Sequence, residues 1–188
     1  MPLPKYKYLL TYRYCEIIHD LTVVFCNKFL YGFDNRRNRE QMIQAARSGK
    51  QNIIEGVGQS QTSKKGEIKL LGVSMASLEE LLADYEDFLR QRKLEIWLKT
   101  DRRIAEFRKN SFRLTSLSNL SDLGNLKEKP ILPENPQEAA NFLLTLCHQA
   151  TFLLNRQIKA LEEKFIKEGG FSENLFKRRL NDRLKSLK

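Results

Sequence analysis

"IKLLGVSMASLEELLADYEDFL", residues 68–89, decides the fold class of this chain. Its apolar residues return every three or four positions, so they share one face of an α-helix. The spacing continues without interruption, which predicts a long helix that packs against other helices. The residues of this apolar face are Ile68, Leu71, Met75, Leu78, Leu82, Tyr85 and Leu89.

The preceding stretch, QNIIEGVGQSQTSKKGE (51–67), contains three glycines and a lysine pair. The phosphate-loop pattern GxxxxGK[ST] is not met, since Gln61 stands five residues after Gly56 and Ser63 five after Gly58. The dinucleotide pattern GxGxxG fails because its third glycine would fall at Gln61. We therefore interpret the stretch as a turn between two helices, the second starting at Ser63 or the residue before it.

Three further long stretches have helical periodicity, and a weaker one follows residue 94. They cover Tyr8–Tyr31, Asn35–Gly58, 95–109 (the weaker one) and Gln137–Glu168. The second of them buries small residues, such as Ala46 and Gly49, which let a neighbouring backbone approach closely. Four long amphipathic segments without a strand pattern predict an all-α fold, an antiparallel up-down four-helix bundle.

Residues 110–136 interrupt the helical pattern. A leucine recurs at every third position from 114 to 126, a period that no amphipathic helix has, so we expect an extended surface insert, or a linker, before the fourth helix. Beyond Gly169 and Gly170 the tail can form a short basic amphipathic helix with Ser172 as its N-cap. The predicted division is a bundle at 1–168 and a basic tail at 169–188.

The formal net charge of +10 is concentrated in two segments. Residues 89–113 contain nine basic and three acidic side chains, and residues 177–188 contain six and one. Clustered positive charge favours a polyanionic partner such as RNA or DNA, although a solvated basic tail is the simpler alternative.

Two smaller basic groups open the second and third helices. Cations at a helix N-terminus oppose the helix dipole, so helix stability does not favour them there. Phosphate binding and plain solubilising charge both remain open. The candidate phosphate contacts are Arg36, Arg37, Arg39, Lys64, Lys65, Lys177, Arg178, Arg179 and Arg183.

Catalytic and metal-binding patterns are weak. The two histidines, His19 and His148, fall on different helices, and no HxxxH or HExxH spacing occurs. The acidic residues at 79–87 surround their helix rather than converge. A nucleophilic Cys147 beside His148 is disfavoured because the cysteine lies on the core line. We predict no enzyme activity, no metal and no cofactor.

The three cysteines, Cys15, Cys26 and Cys147, lie within apolar helical stretches. An odd number without a CxxC spacing predicts buried free thiols in a reducing compartment. No apolar run is long enough for a membrane span. We therefore expect a cytoplasmic protein that does not contact a membrane.

Asn52 and Glu55 lie three residues apart on one stripe of the second helix, beside Gly56. Polar groups among small residues suggest a hydrogen-bond network or a subunit contact, which specifies register more than it adds stability. A direct ligand-binding role is the alternative.

Several motifs together resemble a known family. "AARSGKQNIIEG" (45–56), "SKK" (63–65) and "ASLEELLADYEDFLRQR" (76–92) are similar to the bacterial four-helix-bundle family. That family includes ribosomal RNA intervening-sequence proteins and the accessory variability determinant of diversity-generating retroelements. "QATFLLNRQIKALEEKFIKEGGF" (149–171) resembles the subgroup that carries a four helix bundle suffix domain. Gly66 departs from the family pattern and predicts fraying or a later start of the third helix.

The resemblance implies a barrel-shaped homopentamer with basic surfaces and no catalytic activity. It also implies that the protein binds nucleic acid and supports a reverse transcriptase. Two other hypotheses stay open. One is a protein-interaction adaptor that docks a partner through the tail and the leucine-repeat loop, and the other is a metal-dependent enzyme.

Overall fold

A computed structural model describes residues 3–115 and 131–186, and every regular element in these ranges is helical. The all-α prediction is confirmed at this level. The elements are a 3₁₀ helix at Lys5–Tyr8, α1 (Leu10–Phe29), α2 (Arg36–Gln59), α3 (Lys64–Gln91), α4 (Arg102–Thr115), α5 (Pro136–Glu168) and α6 (Phe171–Ser186).

Local capping chemistry accounts for the helix ends. The Ser63 hydroxyl accepts a hydrogen bond from the Gly66 amide at 2.9 Å, so α3 begins at Lys64. The expected fraying at Gly66 is therefore wrong. A Cβ at Gly66 would displace the flexible end of the Gln59 side chain and would lie 3.0 Å from Ser63 Oγ, the capping oxygen. Gly169, with φ of +71°, ends α5.

The four long helices share one apolar core. α1 contacts α2 and α5, and α3 contacts the same two helices. Tyr85 of α3 reaches the middle of this core, where its hydroxyl lies 2.9 Å from Thr22 Oγ1 of α1. The result is a helical-bundle-like all-α fold. Core side chains with no exposed surface include Cys15, Ile18, Phe25, Ala46, Ile53, Leu71, Leu78, Leu143, Cys147 and Leu154.

α2 and α3 approach each other closely because α2 buries small residues. A Cβ on Gly49 would lie 3.2 Å from Leu78 Cδ2, and one on Gly56 would lie 3.4 Å from the Glu67 carbonyl oxygen. Gly49 packs against Leu78 and Gly56 packs against Glu67, so the order of contacts along α3 is the reverse of that along α2. The two helices therefore run in opposite directions.

The segment between α3 and α5 differs from the sequence prediction. Residues 95–101 are not helical, and α4 instead runs from Arg102 to Thr115. The predicted interruption at 110–136 is therefore wrong at its start, since residues 110–115 belong to α4. The prediction of an extended leucine-repeat loop falls mainly on residues 116–130, which lie outside the described residues.

The helix of the tail begins two residues earlier than the predicted cap implies. α6 starts at Phe171, so Ser172 lies inside the first turn and does not cap it. The Gly170 amide instead donates a 3.1 Å hydrogen bond to Glu173 Oε2. A carboxylate near a helix N-terminus is also favoured by the helix dipole.

Candidate nucleic-acid interface

α6 is an exposed helix with a predominance of positive charge. The side chains of Lys177, Arg178 and Arg179 are exposed, and no ion pair engages them within the described part of the chain. Arg183 and Lys185 extend the basic surface toward the end of the helix. Four residues of the predicted set therefore lie on one solvent-facing element.

The fold brings α6 beside the turn between α2 and α3. A cleft of about 180 Å³ is lined by Lys64, at the start of α3, and by Arg178 of α6. Ser60 and Gln61 of the turn complete one wall, and Phe171 lies on the α6 side. Two basic groups that are more than a hundred residues apart in sequence thus meet at one end of the fold.

The two cations of this cleft have different surroundings. Lys64 Nζ donates to Glu168 Oε2 at 2.7 Å, and this hydrogen bond lowers the pKa of the Glu168 carboxyl. Arg178 has no such partner among the described residues. Lys65 is exposed. Arg178 and Lys65 are therefore more available to an external anion than Lys64 is.

The remaining predicted group lies far from α6. α2 has 24 residues, about 36 Å at 1.5 Å per residue, and Arg36 and Arg37 stand at the end opposite Lys64. Arg36 Nε donates to Glu40 Oε1 at 2.9 Å, while Arg37 is exposed. Arg39 is half-buried. The structure therefore separates the candidate residues into two basic surfaces.

Sequence reasoning missed two aromatic side chains beside the second basic surface. Tyr31 and Phe33 are 75% and 86% exposed in the turn between α1 and α2. Gly32, with φ of +94°, allows the chain to make this turn. Together with Arg36 and Arg37 they form what we term the aromatic corner. Exposed rings next to cations suit stacking with unpaired bases.

The polar stripe predicted on α2 has two parts in the structure, a hydrogen-bond network around Asn52 and the exposed carboxylate of Glu55. Asn52 Nδ2 donates to Ser48 O at 2.8 Å and to Ser48 Oγ at 3.1 Å. Ser48 Oγ in turn lies 3.0 Å from Ser77 Oγ of α3. Glu55 is exposed and outside this network, whereas Gly56 is buried against α3.

Among residues 3–115 and 131–186, no group of three or more histidine, cysteine or acidic side chains could hold a metal ion. His19 instead lies 3.3 Å from Lys50 Nζ through Nδ1. Within the same ranges no helix combines the length and apolar character that crossing a bilayer requires.

Comparison with known proteins finds no matching family model, curated protein or solved structure. The resemblance to the four-helix-bundle family therefore stays a prediction that rests on the motifs quoted above.

Proposed function

We propose that this chain is a non-enzymatic accessory protein that binds RNA or DNA through phosphate contacts. The observation that carries the proposal is the meeting of Arg178 and Lys64 at one cleft, beneath the exposed basic surface of α6. Arg178 makes no ion pair with a described residue and is available to an external polyanion, whereas Lys64 would exchange its Glu168 partner for a phosphate. Each phosphate that they neutralise releases condensed counterions, which supplies affinity without sequence readout.

The aromatic corner supports single-stranded rather than duplex substrates. Tyr31 and Phe33 expose their rings, and base stacking on such rings contributes about 1–3 kcal/mol per base. Stacked duplex bases do not offer these faces. The separation of the corner from α6 suits a strand that follows the length of α2.

The proposal includes the assembly that the family resemblance implies. Its unit is an antiparallel up-down four-helix bundle, supported by the opposed α2 and α3 and by the contacts of α1 and α3 with α2 and α5. A groove on α2 and α3 is the proposed subunit contact, with small residues (Ala45, Ser48 and Ser77) and polar or charged ones (Arg37, Glu40, Gln41, Gln44 and Glu80) in its lining. A homopentamer in the cytoplasm that supports a reverse transcriptase is the expected form.

Charge-removal variants test the proposal. We expect Lys177→Gln/Arg178→Gln/Arg179→Gln to weaken binding to a single-stranded RNA of mixed sequence by at least about tenfold, because three phosphate contacts are lost. The matched control, Lys5→Gln/Arg47→Gln/Lys159→Gln, removes the same charge from exposed positions outside the two basic clusters. Equal losses in both variants would reject α6 as the binding surface.

A protein-interaction adaptor is the second candidate, favoured by one feature of α6. Phe176, Leu180 and Leu184 recur at four-residue spacing and are 66%, 49% and 57% exposed. An exposed apolar line flanked by cations suits a partner protein with an acidic, partly apolar groove. Partner capture from nuclease-treated extract that is lost in Phe176→Ser/Leu180→Ser, with RNA affinity unchanged, would favour this function.

A further inference from the structure

A cavity beside the non-helical 96–99 segment is not used by the proposed function. It has a volume of about 480 Å³ and lies between the 96–99 segment, α4 and α5. This volume falls within the range of small-molecule sites. Trp97, Ile104 and Leu144 form its buried apolar walls, and the exposed side chains of Leu98 and Phe152 stand at its edge.

The walls are held in place by hydrogen bonds that engage both side-chain amide oxygens, those of Asn141 and Gln149. Asn141 Oδ1 accepts from the Trp97 backbone amide at 2.8 Å, and Asn141 Nδ2 donates to the Glu95 carbonyl at 3.0 Å. Gln149 Oε1 accepts from Ser111 Oγ at 2.7 Å. Thr145 Oγ1 donates to the Asn141 carbonyl. The cavity is therefore built on a hydrogen-bonded frame that ties the 95–97 segment and α4 to α5.

The polar groups left over in this cavity are mostly donors and cations. Lys99 and Arg108 line it and make no ion pair with a described residue. Trp97 Nε1, a donor only, is buried without a hydrogen-bond partner among the described atoms. Of the described lining residues, Glu86 alone carries a negative charge.

The electrostatic environment of His148 agrees with this excess of positive charge. Partial burial lowers the pKa of its ring, Lys99 and Arg108 lower it further, and Glu86 raises it. The ring is therefore neutral at neutral pH and can accept or donate one hydrogen bond at the wall.

We propose that this cavity binds a small anionic amphiphile, such as a medium-chain carboxylate. The apolar walls take the hydrocarbon body, and Lys99 and Arg108 hold the carboxylate at the opening. The bound carboxylate pairs with the two cations, and the hydrocarbon body covers the exposed side chains of Leu98 and Phe152. A cationic amphiphile of the same length cannot pair with Lys99 and Arg108.

The intrinsic fluorescence of Trp97 can report ligand binding, because Trp97 is the single tryptophan and lies in the cavity wall. Decanoate is titrated below its micelle concentration while Trp97 fluorescence is recorded, and decyltrimethylammonium is titrated in parallel. We expect a saturable change with decanoate at one equivalent per chain. We expect binding of the cationic amphiphile to be at least about tenfold weaker.

Two double variants separate a built site from general surface charge. Lys99→Gln/Arg108→Gln removes the cations of the cavity, and Arg102→Gln/Lys109→Gln removes the same charge from exposed positions outside its lining. Decanoate affinity should fall about tenfold in the first and stay unchanged in the second. Absence of saturable decanoate binding, equal affinity for the two amphiphiles, or equal loss in both variants would each overturn the proposal.

Discussion

Ser74 of α3 donates a 2.6 Å hydrogen bond to the backbone carbonyl of Gly49 on α2. A side chain reaches a neighbouring helix backbone at this distance only where the two helices lie close together. Gly49 allows this approach, since Leu78 Cδ2 would stand 3.2 Å from any Cβ at that position. The small-residue line of α2 is thus the packing surface for α3.

A pair of glycine substitutions tests this contact. Gly49→Leu should destabilise the fold by about 2 kcal/mol or more, because the added atoms overpack the α2–α3 contact. Gly72→Ala, in the interior of α3, should stabilise it by about 1 kcal/mol through helix propensity, since nothing lies within 4 Å of the added methyl. Urea unfolding measures both. A neutral Gly49→Leu would contradict the close approach.

Much of the fold follows from local patterns. The apolar period of 3.6 residues is visible in all four long helices, and Ser63 and Gly169 mark helix ends through their capping chemistry. The error at 95–101 has a different origin. Asn141 holds that segment through hydrogen bonds to backbone groups 44 and 46 residues away, and no local pattern reports such bonds.

The candidate interface was less accessible to sequence reasoning. Lys64 and Arg178 were predicted individually, but their meeting depends on the direction in which α6 leaves Gly169. Tyr31 and Phe33 resemble the end of a core helix in sequence, whereas the turn at Gly32 places both in solvent. Charge composition suggested the partner class, and only the fold located the surfaces.

Asn141 provides a second stability prediction. Its side chain is 1% exposed and bridges α5 to Trp97 and Glu95. Asn141→Leu should cost about 2 kcal/mol, because it leaves the buried Trp97 amide without its partner, while the Glu95 carbonyl keeps its hydrogen bond from Gln137 Nε2. The emission of Trp97 should also shift to longer wavelength as its segment loosens. Asn155→Leu, at an exposed position on the same helix, serves as the control and should change neither quantity.

Asp84 predicts a pH dependence of stability. Burial first, then Glu80 and Asp87, raise its pKa from 3.8 to about 6. Because the folded pKa lies above the unfolded value, ionisation favours the unfolded state, and stability falls as pH rises from about 4 to about 6. The penalty is complete above that window and absent below it.

Asp84→Asn should therefore stabilise the protein by about 1 kcal/mol at pH near 8 and leave it unchanged at pH near 4. Urea unfolding at the two pH values measures the difference. Asp182→Asn, on exposed α6, controls for the loss of one carboxylate. A gain of the same size at both pH values would contradict the assignment to Asp84.

The cysteines predict a simple chemical behaviour. Burial raises the pKa of both Cys15 and Cys26 to about 12, and also raises that of Cys147. At about pH 8 the native protein should therefore react slowly with a thiol reagent, since the thiolate is the nucleophile. All three thiols should react at once in denaturant. Rapid labelling of a native thiol would show that the core around it opens.

The salt dependence of single-stranded RNA binding tests the central claim most directly. Fluorescence anisotropy gives the binding constant across a range of salt concentrations for the wild type and for Lys177→Gln/Arg178→Gln/Arg179→Gln. Counterion release predicts a steep negative log–log slope for the wild type and a slope shallower by about 2 for the variant, since each phosphate contact contributes about 0.7. A wild-type slope near zero would contradict binding through phosphates, and equal slopes would contradict the assignment to α6.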